Sequence, residues 1–129
     1  MISVAVTHAI LWWFTVNSKL GSKLIQIFQK CEKGEGIIFI PSIVIAEALS
    51  IFDKKRVAFD FRKLFTKITR SENYVIISLD VSILQKMIDL KNIPELHDKI
   101  IVSTAKHLNL PLITKDSVLL KTPDIKTVG

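Results

Sequence analysis

The sequence predicts an α/β fold built on a mainly parallel sheet. Three observations carry that expectation. Short β-branched runs alternate with amphipathic stretches, the run Gly36–Ile40 is apolar at successive positions, and capping or turn residues follow these runs directly. A strand apolar on both of its faces is one covered from both sides, the usual situation of a parallel strand between helices.

The elements follow in order. Met1–Val6 reads as an apolar strand, after which Thr7 is placed to cap a helix running through His8, Leu11 and Trp12. From Ser18, the residues Leu20, Leu24, Ile27, Phe28 and Cys31 recur at three- and four-residue intervals opposite Lys19, Lys23, Gln26 and Lys30, which predicts an amphipathic helix ending near Lys33-Gly34. The strand Gly36–Ile40 leads through Pro41-Ser42 into a helix reaching Phe52. Val57, Phe61, Leu64, Phe65 and Ile68 are spaced as one helical face, predicting a helix over 57–69. Tyr74–Ile77 is a third strand, and Asp80 caps a helix through Leu90. Ile93-Pro94 interrupts the pattern before a helix from Asp98 to Leu108, and Leu112–Thr114 and Ile125–Val128 close the chain as brief strands.

A chain of 129 residues, 49% hydrophobic and 23% charged with a mean hydropathy of +0.38, has material for one core and is expected to form a single domain over residues 1–129. No apolar run approaches the roughly 20 residues of a membrane span, and the start of the chain lacks a basic region and a cleavage signature. A cytoplasmic protein without membrane association is expected. The single cysteine, Cys31, excludes disulfide scaffolds and cysteine-rich zinc sites, and its place on an apolar stripe marks it as an inert buried thiol.

Four acids stand where a parallel α/β sheet would form a site: Glu47 in the helix after the second strand, Glu95 and Asp98 around a helix start, and Asp116 after a late strand. Hard oxygen ligands of this kind suit Mg²⁺ or Mn²⁺. Asp98 is equally suited to capping its helix, a role worth about 1 kcal/mol. Glu47 is flanked by Val44, Ile45, Ala46, Ala48 and Leu49, so its carboxylate needs a cationic companion, either a metal or a basic group.

Four blocks, Val6-Thr-His-Ala-Ile-Leu-Trp12, Pro41-Ser-Ile-Val-Ile-Ala-Glu47, Pro94-Glu-Leu-His-Asp-Lys-Ile-Ile-Val-Ser-Thr-Ala105 and Leu110-Pro-Leu-Ile-Thr-Lys-Asp116, resemble PIN domains of the VapC toxin type, in order and spacing over nearly the whole chain. The resemblance implies a three-layer α/β/α fold around a five-stranded parallel sheet. It also implies a Mg²⁺- or Mn²⁺-dependent endoribonuclease acting on single-stranded RNA, the toxin of a toxin–antitoxin pair, neutralised by its cognate antitoxin and often a homodimer. Matched position by position, it makes Glu47, Glu95, Asp98 and Asp116 the metal-binding acids, with Glu47, Asp98, Asp116 and the hydroxyl of Thr114 serving catalysis. It also implies an aspartate where this chain has Val6. Valine offers no oxygen, and the Thr7 hydroxyl beside it is neutral. An impaired nuclease and a catalytically inactive module that binds RNA or an antitoxin both remain open. A receiver-like phosphoryl-transfer protein fits less well, because there is no Gly-rich phosphate loop and the first strand ends without an acid.

The chain carries eighteen Lys and Arg against twelve Asp and Glu, a net charge of +6 with a pI near 9.6. Between Asp53 and Glu72, seven basic residues (Lys54, Lys55, Arg56, Arg62, Lys63, Lys67 and Arg70) face three acids, so about two-thirds of that excess lies in one region. It reads either as a phosphate-tracking face, with Lys54, Lys55, Arg56, Arg62 and Lys63 as RNA contacts, or as a solvated helix surface. His8 and His97 flank the proposed pocket as structural or substrate-contacting groups, and His107 is placed to complement a helix C-terminus. Trp12, Trp13 and Phe14 read as core or dimer contacts ahead of base-stacking groups.

Overall fold

The computed structural model describes residues 1–129. Five strands, β1 (Ile2–Ala5), β2 (Ile37–Pro41), β3 (Tyr74–Ile77), β4 (Leu112–Ile113) and β5 (Thr127–Val128), form one parallel sheet in the order β3-β2-β1-β4-β5. The helices are α1 (Thr7–Phe14), α2 (Gly21–Glu32), α3 (Ser42–Asp53), α4 (Phe61–Arg70), α5 (Val81–Ile88), α6 (Leu96–Leu108) and α7 (Ser117–Leu120), with a 3₁₀ turn at Ser18–Leu20. The expected α/β class with a five-stranded parallel sheet is what the chain forms.

Burial explains the strand composition. Val4 and Ala5 on the central strand and Leu112 and Ile113 beside them are fully buried, as are Ile38 and Ile40 on β2. Helix α2 packs on β2, α4 on β3 and α6 on β1, while α1 and α6 each touch α3. Gly36 is required where β2 begins beside β1, because a side chain there would drive its Cβ to 2.7 Å from the Met1 carbonyl oxygen.

Several boundaries differ from the sequence expectation. Helix α4 starts at Phe61, where the Asp60 carboxylate accepts the Lys63 amide, so Lys54, Lys55 and Arg56 lie in the turn after α3 and only Arg62, Lys63, Lys67 and Arg70 belong to the helix. The position ahead of α1 is Val6, which has no capping group; Thr7 is the first helical residue and its hydroxyl is used elsewhere. Glu95, rather than Asp98, caps α6 and accepts the Asp98 amide at 2.7 Å.

The aromatic run near the N-terminus packs on the core: Trp13 stacks on Phe28 at 5.2 Å and Phe14 lies against Tyr74. Cys31 is buried with its thiol 3.1 Å from the Asn73 carbonyl oxygen, and burial pushes the thiol pKa up to about 11. Ser103, inside α6, has a fully buried hydroxyl with no hydrogen-bond partner. Ser103→Ala removes that unpaired group and improves helix propensity, so it should raise stability by up to about 1 kcal/mol, read as a higher urea midpoint at unchanged slope.

Candidate active site

The order of the sheet reverses at β1, with β2 and β3 on one side and β4 and β5 on the other. Crevices beyond the C-terminal ends of strands at such a point are where open α/β sheets take their ligands. Here that crevice is a cavity of about 230 Å³ whose walls include Val6 and Thr7 directly after β1, Glu47 from α3, Asp98 from α6 and Asp116 after β4. Three carboxylates far apart in sequence are thus gathered by the crossover topology alone.

Each acid is held differently. One Glu47 oxygen, Oε1, accepts the Thr7 hydroxyl, and the other lies 3.8 Å from His97 Nδ1. These two groups answer the need for a partner that its apolar sequence neighbours create. The Asp116 Oδ1 accepts the amides of Val118 and Leu119 at 2.8 and 3.1 Å, capping α7 and leaving its second oxygen without a protein hydrogen bond. Asp98, in the first turn of α6, makes no side-chain hydrogen bond; its own burial, then the charges of Glu95, Asp116 and Glu47, raise its pKa above the usual aspartate value. Glu95 lies outside the cavity wall. Its other oxygen is 2.7 Å from His97 Nδ1; burial alone would raise its pKa, but the Asp98 amide and the bonds and charge of His97 together bring it below the usual glutamate value. The same Glu95 bond raises the pKa of His97.

Behind the acids, two groups fix the turn that carries Asp116. The buried Thr114 hydroxyl accepts the Asp116 amide at 3.0 Å, and His8 Nε2 accepts the Lys115 amide at 2.9 Å. An amide can only donate, so His8 presents a lone pair at Nε2 and its proton sits on Nδ1. Burial lowers the His8 pKa, against the opposing charge of Asp116, which favours that neutral form. Thr114 therefore lies beneath the cavity as a support for Asp116. The pairing of Thr7 with Glu47 is not readable from sequence, because the two residues are forty positions apart and Thr7 also looks like a cap.

The carboxylates suit a divalent cation in donor type and in charge. They fall short of an all-protein cage: no three of the His, Cys, Asp and Glu side chains form a metal-holding group. Val6, 3% exposed, contributes an apolar wall at the corner where the resemblance puts an aspartate. Mg²⁺ commonly makes do with one or two carboxylates plus water and substrate phosphates, and that is the arrangement these residues fit.

No helix is long and apolar enough to cross a membrane. A search of curated protein sequences gives no match. Among solved structures, the chain is similar to one in the VapBC2 complex of Rickettsia felis bound to a promoter DNA fragment, with TM-score 0.72, 18% identity and coverage of 99% of this chain and 98% of that one. It is similar to a chain of a toxin–antitoxin complex from Klebsiella pneumoniae (TM-score 0.70, 19% identity, coverage 98% and 96%). The FitAcB structure from Neisseria gonorrhoeae matches at TM-score 0.70 and 15% identity, over 100% and 97%. At these identities the likeness speaks for the fold. The model of the PIN domain matches residues 4–125, from within β1 through the acid cavity and α7, and the chain belongs to the PIN domain family.

Proposed function

We propose that the chain is the toxin of a toxin–antitoxin pair, an endoribonuclease of the VapC type that uses Mg²⁺ or Mn²⁺ to cut single-stranded RNA, with its turnover lowered by Val6. The observation that carries this reading is the meeting of Glu47, Asp98 and Asp116 in one cavity at the switch point of a PIN sheet. Support for an antitoxin partner comes from the folds it resembles, one solved as a VapBC2 complex and another as a toxin–antitoxin complex.

Glu47, Asp98 and Asp116 would hold the cation between them, one or two directly and the rest through water, and the cation would lower the pKa of a water and neutralise charge on the phosphodiester. The chain's own contribution is positional. Thr7 fixes one oxygen of Glu47, while Thr114 and His8 hold the turn that fixes Asp116. Asp98 makes no side-chain hydrogen bond, and its burial and the neighbouring charges disfavour its anion, so a nearby cation would stabilise it.

A second reading, a non-catalytic module that binds RNA or an antitoxin, is favoured by the apolar side chain of Val6 in the cavity wall. Cleavage of a fluorescent single-stranded RNA in Mn²⁺ separates the two. The nuclease reading expects slow cleavage that stops in EDTA and is lost in Asp98→Asn. No cleavage at any protein concentration supports the binding module, and rapid cleavage that survives Asp98→Asn overturns the assignment of the site.

A further inference from the structure

Helix α3 turns one side to the acid cavity, through Glu47 and Ile51, and another to a separate groove against α4. That groove encloses about 900 Å³, and its walls include Leu49, Phe52, Phe61 and Phe65 together with Arg62 and Thr66. Leu49, Phe52 and Phe65 are each about 40% exposed, a considerable apolar surface to leave in water. The aromatic rings form a connected series: Phe59 meets Phe52 edge-on at 5.6 Å, Phe52 lies 6.2 Å from Phe61, and Phe61 stacks with Phe65 at 6.0 Å.

Charge borders this aromatic series. Asp60, Arg62 and Thr66 are shared with an adjoining, mainly basic trough on the outer side of α4, where Lys63, Lys67 and Arg70 also stand. Lys67 is engaged by Glu32 at 3.1 Å, whereas the charged ends of Arg62, Lys63 and Arg70 make no ion pair. Of the acids in the groove, Asp60 is spent on capping α4, and Asp53 ends α3. A second copy of this chain would bring another +6 charge and the same cationic border to the interface, which argues against self-association here. Exposed aromatic faces next to unpaired cations are the pairing that holds single-stranded nucleic acid, with bases on rings and phosphates on Arg and Lys.

We propose that the α3–α4 groove is a second RNA-binding surface, distinct from the acid cavity, where one or more bases of a single strand lie on Phe52 and Phe65 while the backbone tracks Arg62, Lys63 and Arg70. It rests on the ribonuclease or RNA-binding reading above and adds to it where the strand is held. Because α3 lines both features, RNA in the groove lies one helix face away from the carboxylates.

Fluorescence anisotropy with a labelled twelve-nucleotide oligouridylate in EDTA tests this without cleavage. Phe65→Ala should weaken binding about tenfold with an unchanged salt slope, and Phe65→Trp should restore it. Arg62→Ala with Lys63→Ala should also weaken it and reduce the slope of log K against log salt by about 1.4, near 0.7 for each phosphate that is no longer neutralised. The surface is ruled out if Phe65→Ala and the double variant bind like the parent, and that conclusion stands even if Phe65→Ala alters oligomeric state, which would mark the groove as a protein interface. Parent chain that cleaves RNA normally while the groove variants behave identically sinks this proposal alone. Parent chain that neither binds nor cleaves RNA sinks both.

Discussion

Introducing the acid that the resemblance implies, as Val6→Asp, should lower the melting temperature by roughly 10 °C in metal-free buffer. Position 6 is buried in the wall of a cavity that already holds Glu47, Asp98 and Asp116. A fourth carboxylate there is an uncompensated buried charge, costing about 3 kcal/mol, and for a domain of this size each kcal/mol is worth roughly 3 °C. The new group's folded-state pKa is raised by its neighbours, so the deficit grows as pH climbs above about 4, the ordinary aspartate value, and shrinks in acid. Mn²⁺ at a hundredfold excess over its dissociation constant should return about 2.7 kcal/mol to the variant and little to the native chain. Circular dichroism melts at pH 4 and pH 7, with EDTA or Mn²⁺, check both arms; a variant as stable as its parent in EDTA contradicts the crowding of acids.

Glu32→Ala should cost about 2 kcal/mol in a urea titration at pH 7. The Glu32 carboxylate, at the C-terminal end of α2, accepts Trp13 Nε1 from α1 and the Tyr74 hydroxyl from β3, each at 2.7 Å, and Lys67 of α4 at 3.1 Å. One side chain thereby joins four elements. Removing it leaves the phenol of Tyr74, 4% exposed, unpaired. Solvent reaches part of the carboxylate, which keeps the figure at the low end for three charge-assisted bonds. Burial alone would raise the Glu32 pKa, but Tyr74, Trp13 and Lys67 together bring it below the free value of 4.5. Its contribution is therefore complete above that value and is lost as pH falls through the folded pKa, so native and Glu32→Ala stabilities should converge in strong acid. A pH-independent difference would place the effect in packing rather than charge.

How much of this is legible in the sequence depends on the range of the interaction. The strands and long helices follow from local periodicity, and the positions of Glu47 within the helix after a strand, Asp98 near a helix start and Asp116 after a strand are enough to expect a cavity lined by acids. Periodicity begins helix α4 four residues early because Val57 is in phase with its apolar stripe, while the Asp60 cap that begins the helix lies inside the expected span. Glu95 and Asp98 are both acids near one helix start, and only backbone geometry decides that Glu95 takes the cap and Asp98 faces the cavity. A single turn such as α7 has no period to read, so the capping by Asp116 that orients it leaves no trace in the pattern. The pairs Thr7 with Glu47 and Glu32 with Trp13 and Tyr74 span 40, 19 and 42 positions, and no local pattern announces them.

Calorimetric titration of Mn²⁺ into the native chain and into Val6→Asp is the direct test of the proposal that this acid cavity binds a divalent cation and that Val6 weakens it. Weak binding by the native chain, abolished in Asp98→Asn, and at least tenfold tighter binding by Val6→Asp is the expected result, in the range by which metal-site residues alter affinity. Indistinguishable isotherms for the native chain and Val6→Asp, or native binding untouched by Asp98→Asn, would contradict it.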